Sequence, residues 1–325
     1  MQGFYQQDNA LIWESNHETL RIEPWGRDSL RVRATAEPAI RDDLPGALLD
    51  PAPTSVQIEI GDERATIRNG AMMAEVSQTG WAGLSLAGTI RFLNAVTGAE
   101  LLEEEHTSQP SGWPPARYFK AVSGGLFRLE ARFKAYDDER LYGLGQQIHG
   151  RLNQKGCVIE LLHRNTQETI PFLVSSRGYG FLWHNPAVGR VQLGYDRTLW
   201  VAEAAHQMDY WITAGDTPAE ILEHYVDVTG HAPVLPEWAA GFWQCKLRYR
   251  TQEELLSIAR EYKRRGLPLS VIVIDFFHWS AQGDWQFDSE KWPDPAAMVR
   301  ELEEMGVKVM VSIWPTVSTF SANFL

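Results

Sequence analysis

The sequence predicts an antiparallel β-sandwich over residues 1–232, followed over 233–325 by a parallel β-α-β-α-β segment. Three observations lead there. Up to about residue 230, apolar residues alternate with polar ones in short runs broken by Gly and Asp turns, the pattern of antiparallel strands. After Pro233 and Pro236 the texture changes to apolar strands alternating with capped helices. The length of 325 residues exceeds what one compact core normally holds.

In chain order, Thr19-Leu20-Arg21-Ile22-Glu23 and Ser29-Leu30-Arg31-Val32-Arg33 place apolar residues at every second position. Ser55 to Ile60 does the same before the turn Gly61-Asp62-Glu63, and Ala65 to Arg68 follows. Gly70, Gly80, Gly88 and Gly124-Gly125 punctuate further runs. Such strands have one wet face, and enough of them in a row pack as a sandwich. From Thr217 to Val228, Ala219, Leu222 and Tyr225-Val226 fall at helical spacing, which predicts one helix leaving the β region.

Gly241 to Cys245 reads as a short strand and Arg248-Tyr249-Arg250 as a polar loop. Thr251-Gln252-Glu253-Glu254 is a capping box in which the Thr hydroxyl and Glu carboxylate satisfy exposed amides. Leu255, Ile258, Ala259 and Tyr262 line one helical face, and Gly266 ends the helix. Leu269 to Ile274 is a strand covered on both faces. Asp294 as N-cap and Pro295 at the first helical position open a second helix through Met298, Val299, Leu302 and Met305. Gly306 closes it, and Val307 to Ile313 is expected to be another buried strand. A complete (β/α)₈ barrel needs about 250 residues, so the 90 from Pro236 to Leu325 hold three strands and two helices, not eight of each.

The net charge of −12 argues against a nucleic-acid partner and against an anionic membrane surface. No stretch approaches the roughly 20 apolar residues of a membrane span, and MQGFYQQDNA lacks the layout of a secretory signal. A cytoplasmic protein is therefore expected. Cys157 and Cys245 are the only cysteines, too few for a disulfide framework or a Cys-based zinc site. Gly143-Leu144-Gly145 with Gly150 lacks dinucleotide-binding spacing, and His224 and His231 do not form the usual helical metal pair. Neither metal nor cofactor is expected. Thirteen tryptophans are unusual usage; they either fill a large core or offer flat faces to sugar rings.

In parallel α/β folds the working residues sit at the C-terminal ends of strands. Here those are the Lys246-to-Arg250 loop, Asp275 with Phe276-Phe277-His278-Trp279, and Ser312 with Trp314. The Asp275 carboxylate could accept hydrogen bonds from sugar hydroxyls while Phe276 or Trp279 packs on the ring. It could equally cap its own backbone.

The string Pro236-Glu237-Trp238 through Gly241-Phe242-Trp243-Gln244-Cys245, with Tyr249 and Glu254, resembles the barrel entrance of glycoside hydrolase family 31, the α-glucosidases, α-xylosidases and relatives. Gly266-Leu267-Pro268, Val273-Ile274-Asp275, Phe287-Asp288, Trp292-Pro293-Asp294-Pro295 and Trp314-Pro315 continue the match in order. Leu141-Tyr142-Gly143-Leu144-Gly145, Ile170-Pro171-Phe172 and Arg177-Gly178-Tyr179-Gly180 look like that family's N-terminal, galactose-mutarotase-like β-sandwich. The resemblance covers residues 141 to 315 by motif and 1 to 140 by texture. It implies that residues 233–325 are the first three strands and two helices of a truncated (β/α)₈ catalytic barrel.

The resemblance also implies roles. Asp275 matches an aspartate that hydrogen-bonds the sugar in the −1 subsite, and Phe276, Ser312 and Trp314 fall where the pocket wall is built. Lys246 and Tyr249 lie where members differ. The turn His163-Arg164-Asn165-Thr166-Gln167-Glu168 is either a pocket loop or a solvated turn. Retaining glycosidases need two carboxyl groups about 5–5.5 Å apart. The family's nucleophile and acid/base aspartates belong to barrel strands four and six, beyond Leu325, so no catalytic residue is expected here. Asp284 and Asp288 read as structural.

The expected function is therefore the N-terminal portion of a retaining α-glycosidase acting on terminal α-xylosides or α-glucosides of oligosaccharides. This chain would be inactive alone, and a separately encoded C-terminal half is one way to complete the barrel. The alternative is a non-catalytic carbohydrate-binding β-sandwich protein.

Overall fold

The computed structural model describes residues 3–15, 18–51, 54–81, 84–105 and 115–324. The chain divides into two compact units, Met1–Ala232 and Pro233–Leu325; Leu325 itself lies outside the described residues.

The first unit opens with β1 (Gly3–Gln7), β2 (Ala10–Glu14), β3 (Thr19–Pro24), β4 (Ser29–Thr35), β5 (Gln57–Ile60) and β6 (Arg64–Asn69). It continues through β7 (Met72–Trp81), β8 (Leu84–Asn94), β9 (Glu100–Glu103), β10 (Arg117–Ala121), β11 (Phe127–Lys134) and β12 (Leu141–Gly143). It closes with β13 (Val158–Leu161), β14 (Phe172–Ser175), β15 (Tyr179–Trp183), β16 (Gly189–Leu193), β17 (Arg197–Ala205), β18 (Met208–Ala214) and the helix α1 (Pro218–Thr229). An eight-stranded sheet runs β1-β2-β3-β4-β18-β15-β14-β12, and two five-stranded sheets run β5-β6-β7-β8-β9 and β10-β11-β17-β16-β13. All these pairings are antiparallel.

Period-two alternation explains the layering. Leu30, Val32 and Ala34 of β4, with Met208, Tyr210 and Ile212 of β18, face one apolar core shared with Ile67, Phe92, Phe133 and Trp200 of the other two sheets. This is the sandwich the sequence predicts, with an addition. The opposite face of the eight-stranded sheet is also covered, because Ile221, Tyr225 and Val228 of α1 pack with Trp25, Phe172, Val174, Leu182 and Trp211. Arg31 and Arg33, expected on a wet face, are buried as well, Arg31 with its guanidinium 4.3 Å over the Trp25 ring and Arg33 donating to the Arg41 carbonyl at 3.3 Å. Each is paired. Arg31 makes a two-pronged contact with Asp209, at 3.0 and 2.6 Å. Arg33 bonds Glu23 and Asp42. Gly88 also departs from expectation, lying inside β8 rather than in a turn; a Cβ there would press at 3.2 Å on the Trp13 ring.

The second unit contains β19 (Trp243–Cys245), α2 (Gln252–Arg264), β20 (Val271–Ile274), α3 (Pro295–Glu304) and β21 (Lys308–Val311). The strands pair in parallel in the order β19-β20-β21. Leu255, Leu256 and Ala259 of α2 and Met298 and Leu302 of α3 pack on Ile272, Ile274 and Val307. The two helix starts interlock: Thr251 Oγ1 accepts the Glu254 amide at 3.1 Å, Asp294 Oδ1 accepts the Ala297 amide at 2.8 Å, and the Gln252 side chain accepts the Asp294 amide at 3.0 Å. The expected capping box is half formed. The Glu254 carboxylate turns to the Arg250 amide and Lys246 Nζ, at 2.8 and 2.6 Å, because the lysine offers a charged donor. β21 departs from the expected fully buried strand: Val309 and Val311 pack on the core, while Lys308 and Met310 point to an exposed face.

Candidate functional site

The three parallel strands end on the same side, so their following loops converge. Hydrogen bonds from the Ser312 amide to the Ile274 carbonyl (2.9 Å) carry the β20–β21 pairing to the strand ends and set Ser312 beside Asp275. Asp275 follows the last residue of β20 and is half-buried. Its Oδ1 accepts the Phe276 amide at 2.8 Å, and its Oδ2 faces Cys245 Sγ at 4.0 Å across the sheet. One oxygen therefore caps the local backbone, and the other has only a weak thiol neighbour. The carboxylate and burial together raise the Cys245 thiol above its ordinary value, with burial the larger cause, so the sulfur stays a neutral donor.

Around the carboxylate lies a group of rings. Phe276 and Trp314 have centroids 5.3 Å apart, Phe276 and Phe277 meet edge to face at 4.7 Å, and Trp279 meets Trp314 at 5.9 Å. The backbone strains to build it, since Phe277 sits at φ 64°, a left-handed conformation unusual for a bulky side chain. His278 is buried beneath, its Nδ1 3.2 Å from the Asp275 carbonyl and its ring against Phe287; burial lowers its pKa, so it packs as a neutral imidazole. Phe277 and Trp314 remain partly open. An aromatic group with one available carboxylate oxygen can stack on the C–H face of a sugar and accept its hydroxyls.

Asp275, Phe276 and Trp314 thus come together as the sequence suggested, with Ser312 alongside. Tyr249 does not join them: it is buried in the helix-side core, where its hydroxyl accepts from Gln244 at 3.3 Å. Lys246 is held by Glu254. In the first unit, the turn at 163–168 closes on itself through Arg164–Gln167 backbone bonds and an exposed Arg164–Glu160 pair. Phe277 and Trp279 join the group from the loop after β20, and from the Lys246-to-Arg250 loop it is Arg248 that does so. The Arg248 guanidinium lies 5.3 Å over the Phe277 ring. Only loop folding brings it there, and no spacing in the sequence signals it.

The carboxylates near the strand ends are mostly committed. Asp284 accepts the Ala281 amide at 2.9 Å, Asp288 holds Lys291 at 2.7 Å, and Asp294 caps α3. Among the described residues no group of three or more His, Cys, Asp or Glu side chains could hold a metal ion, and no helix is long and apolar enough to cross a membrane.

Residues 232–324 match the glycosyl hydrolases family 31 TIM-barrel domain, and residues 19–191 match the glycosyl hydrolase 31 N-terminal galactose mutarotase-like domain. The chain is 45% identical over its whole length to the uncharacterized family 31 glucosidase ORF2 of Pseudescherichia vulneris, spanning 62% of that protein. It is 32% identical over 99% of its length to alpha-xylosidase A of Aspergillus niger, spanning 45% of it. Its fold superimposes on the crystal structure of a GH31 alpha-xylosidase from a soil metagenome complexed with xylose, with TM-score 0.87 and 50% identity over 98% of this chain and 48% of that one.

Proposed function

Since this chain belongs to glycoside hydrolase family 31, we propose that it forms the sugar-holding entrance of a retaining α-glycosidase that cleaves terminal α-xylosides, and secondarily α-glucosides, of oligosaccharides. The carrying observation is Asp275 at the end of β20, with one carboxylate oxygen available beside Phe276, Phe277, Trp279 and Trp314. The xyloside preference is supported by the alpha-xylosidases among the relatives, one of which was crystallised with xylose.

In this reading the chain holds the terminal sugar and does not break its bond. A retaining mechanism needs two carboxyl groups about 5–5.5 Å apart. Among the described residues, Asp284, Asp288, Asp294 and Glu254 are each engaged locally. Further strands, on the same or a separate polypeptide, supply the nucleophile and the acid/base. The reading extends to a cytoplasmic location, for which two unpaired cysteines are the support. The carbohydrate-binding-module alternative gains nothing from the sandwich cavity of about 380 Å³ near His184. Its polar wall is already committed, Asp209 to Arg31 and Gln207 to Arg41.

The test is Asp275→Ala in the hydrolytically active protein that contains this sequence. Catalytic efficiency on an aryl α-xyloside should fall by about 2–4 kcal/mol of transition-state stabilisation, with unfolding stability nearly unchanged. Unchanged efficiency with a large stability loss would leave Asp275 a backbone cap. Steady turnover of the same xyloside by the 325-residue chain alone would refute the division of labour.

A further inference from the structure

Trp285 combines backbone strain with exposure. Its backbone sits at φ 49°, in the left-handed region that bulky residues avoid. Its side chain is 51% exposed. Unlike Phe276, Phe277, Trp279 and Trp314, it stacks on no other ring among the described residues. Yet it is not loose. The indole N–H donates to the Trp314 carbonyl at 3.0 Å. The turn beneath is braced: Asp284 Oδ2 accepts the Ala281 amide at 2.9 Å, and Asn323 Nδ2 donates to the Gly283 carbonyl at 2.7 Å. Gly283 (φ 97°) packs so tightly that a Cβ would meet Val317 at 2.8 Å.

A strained, exposed and immobilised indole is a surface prepared in advance for a flat partner, because the entropy of fixing it is already spent. The flat partner that suits the neighbouring rings and the open Asp275 oxygen is the C–H face of a sugar. The tether to Trp314 places Trp285 just outside the ring group around Asp275, not within it. We infer that Trp285 is a stacking platform for the second ring of an oligosaccharide whose terminal ring is held at Asp275. This rests on the proposed function and narrows it to substrates of at least two sugars.

The experiment is ¹⁹F NMR of the 325-residue chain labelled with 5-fluorotryptophan. The Trp285, Trp279 and Trp314 resonances are assigned from their loss in the single Trp→Phe variants, and the probes are methyl α-xyloside and α-xylosyl-(1→6)-glucose. The disaccharide should shift the Trp285 resonance, while the one-ring glycoside shifts only Trp279 and Trp314. The disaccharide should bind more tightly than the methyl glycoside, and Trp285→Ala should reduce that ratio at least about fivefold, with Trp285→Phe retaining most of it. A disaccharide that shifts Trp279 and Trp314 but leaves Trp285 unmoved would overturn the inference and spare the functional reading. No response of any tryptophan to either sugar would overturn both. The wild-type spectrum decides even if the alanine variant fails to fold.

Discussion

The two units treat the same residue types in opposite ways. In the sandwich every tryptophan with a described side chain is buried, and the buried arginines Arg31, Arg33 and Arg117 all have carboxylate partners. In the second unit Trp238, Trp243, Trp285 and Trp314 are substantially exposed, and its arginine pairs, such as Arg260–Glu301, lie on the surface. The sandwich spends its aromatic and charged groups on its own stability. The second unit buries Trp279 and Trp292 but leaves the other four exposed. Aromatic richness is thus distributed differently along the chain, filling the core before residue 232 and partly exposed after it.

The sharpest way to break this contrast is at Arg117, which is buried between Glu18 and Glu104 and also donates to the Gly88 carbonyl at 2.6 Å. Removing it strands a buried carboxylate, so Arg117→Ala should cost about 3–5 kcal/mol in urea unfolding of the sandwich. An arginine of the second unit should matter far less: Arg260→Ala should cost at most about 1 kcal/mol, because its partners are exposed.

The next effect is pH-dependent. Burial, with the Arg31 and Arg33 cations nearby, pushes the His184 imidazole down to about 4. An unfolded-state histidine binds its proton near pH 6.5. Below that pH the unfolded chain takes up a proton that the folded sandwich refuses. Stability is therefore full above pH 6.5 and should fall by about 2 kcal/mol between pH 7 and 5. Urea midpoints across this range should show the slope in the wild type, and His184→Asn should flatten it.

A third test exploits the strand edges. β19 and β21 both border a sheet of only three strands, with Trp243 and Met310 exposed on them. The chain should self-associate in size-exclusion chromatography, and protease should cut residues 233–325 about tenfold faster than the sandwich, equivalent to about 1.4 kcal/mol. A monodisperse monomer with uniform resistance would erase the contrast. The smallest effect belongs to the cap: Thr251→Ala should cost about 1 kcal/mol, read as faster hydrogen exchange in α2 with the sandwich unchanged.

Much of this was legible in advance. Thr217, Thr251 and Asp294 marked three helix starts, since a side-chain oxygen before an apolar period is a local signal that needs no tertiary partner. Asp275 and Phe276 were legible for the same reason, as the end of an apolar run is where a parallel strand opens. Arg248 was not, because its contact with Phe277 joins two loops through a fold. Trp285 was not, because strain and exposure have no sequence signature.

By itself, then, the sequence determined whatever depends on neighbours along the chain: strand and helix periods, caps, and the change of architecture near residue 232. The tertiary structure decided which faces are wet. Arg31 and Arg33 alternate like solvent-facing residues, yet Asp209, 178 residues further along the chain, and Asp42 meet them there and turn them into buried ion pairs. Met310 and Lys308 sit in an apolar run, yet stay exposed, because nothing in the described fold covers their side of β21. Burial depends on what packs from afar, and a local pattern carries no record of it.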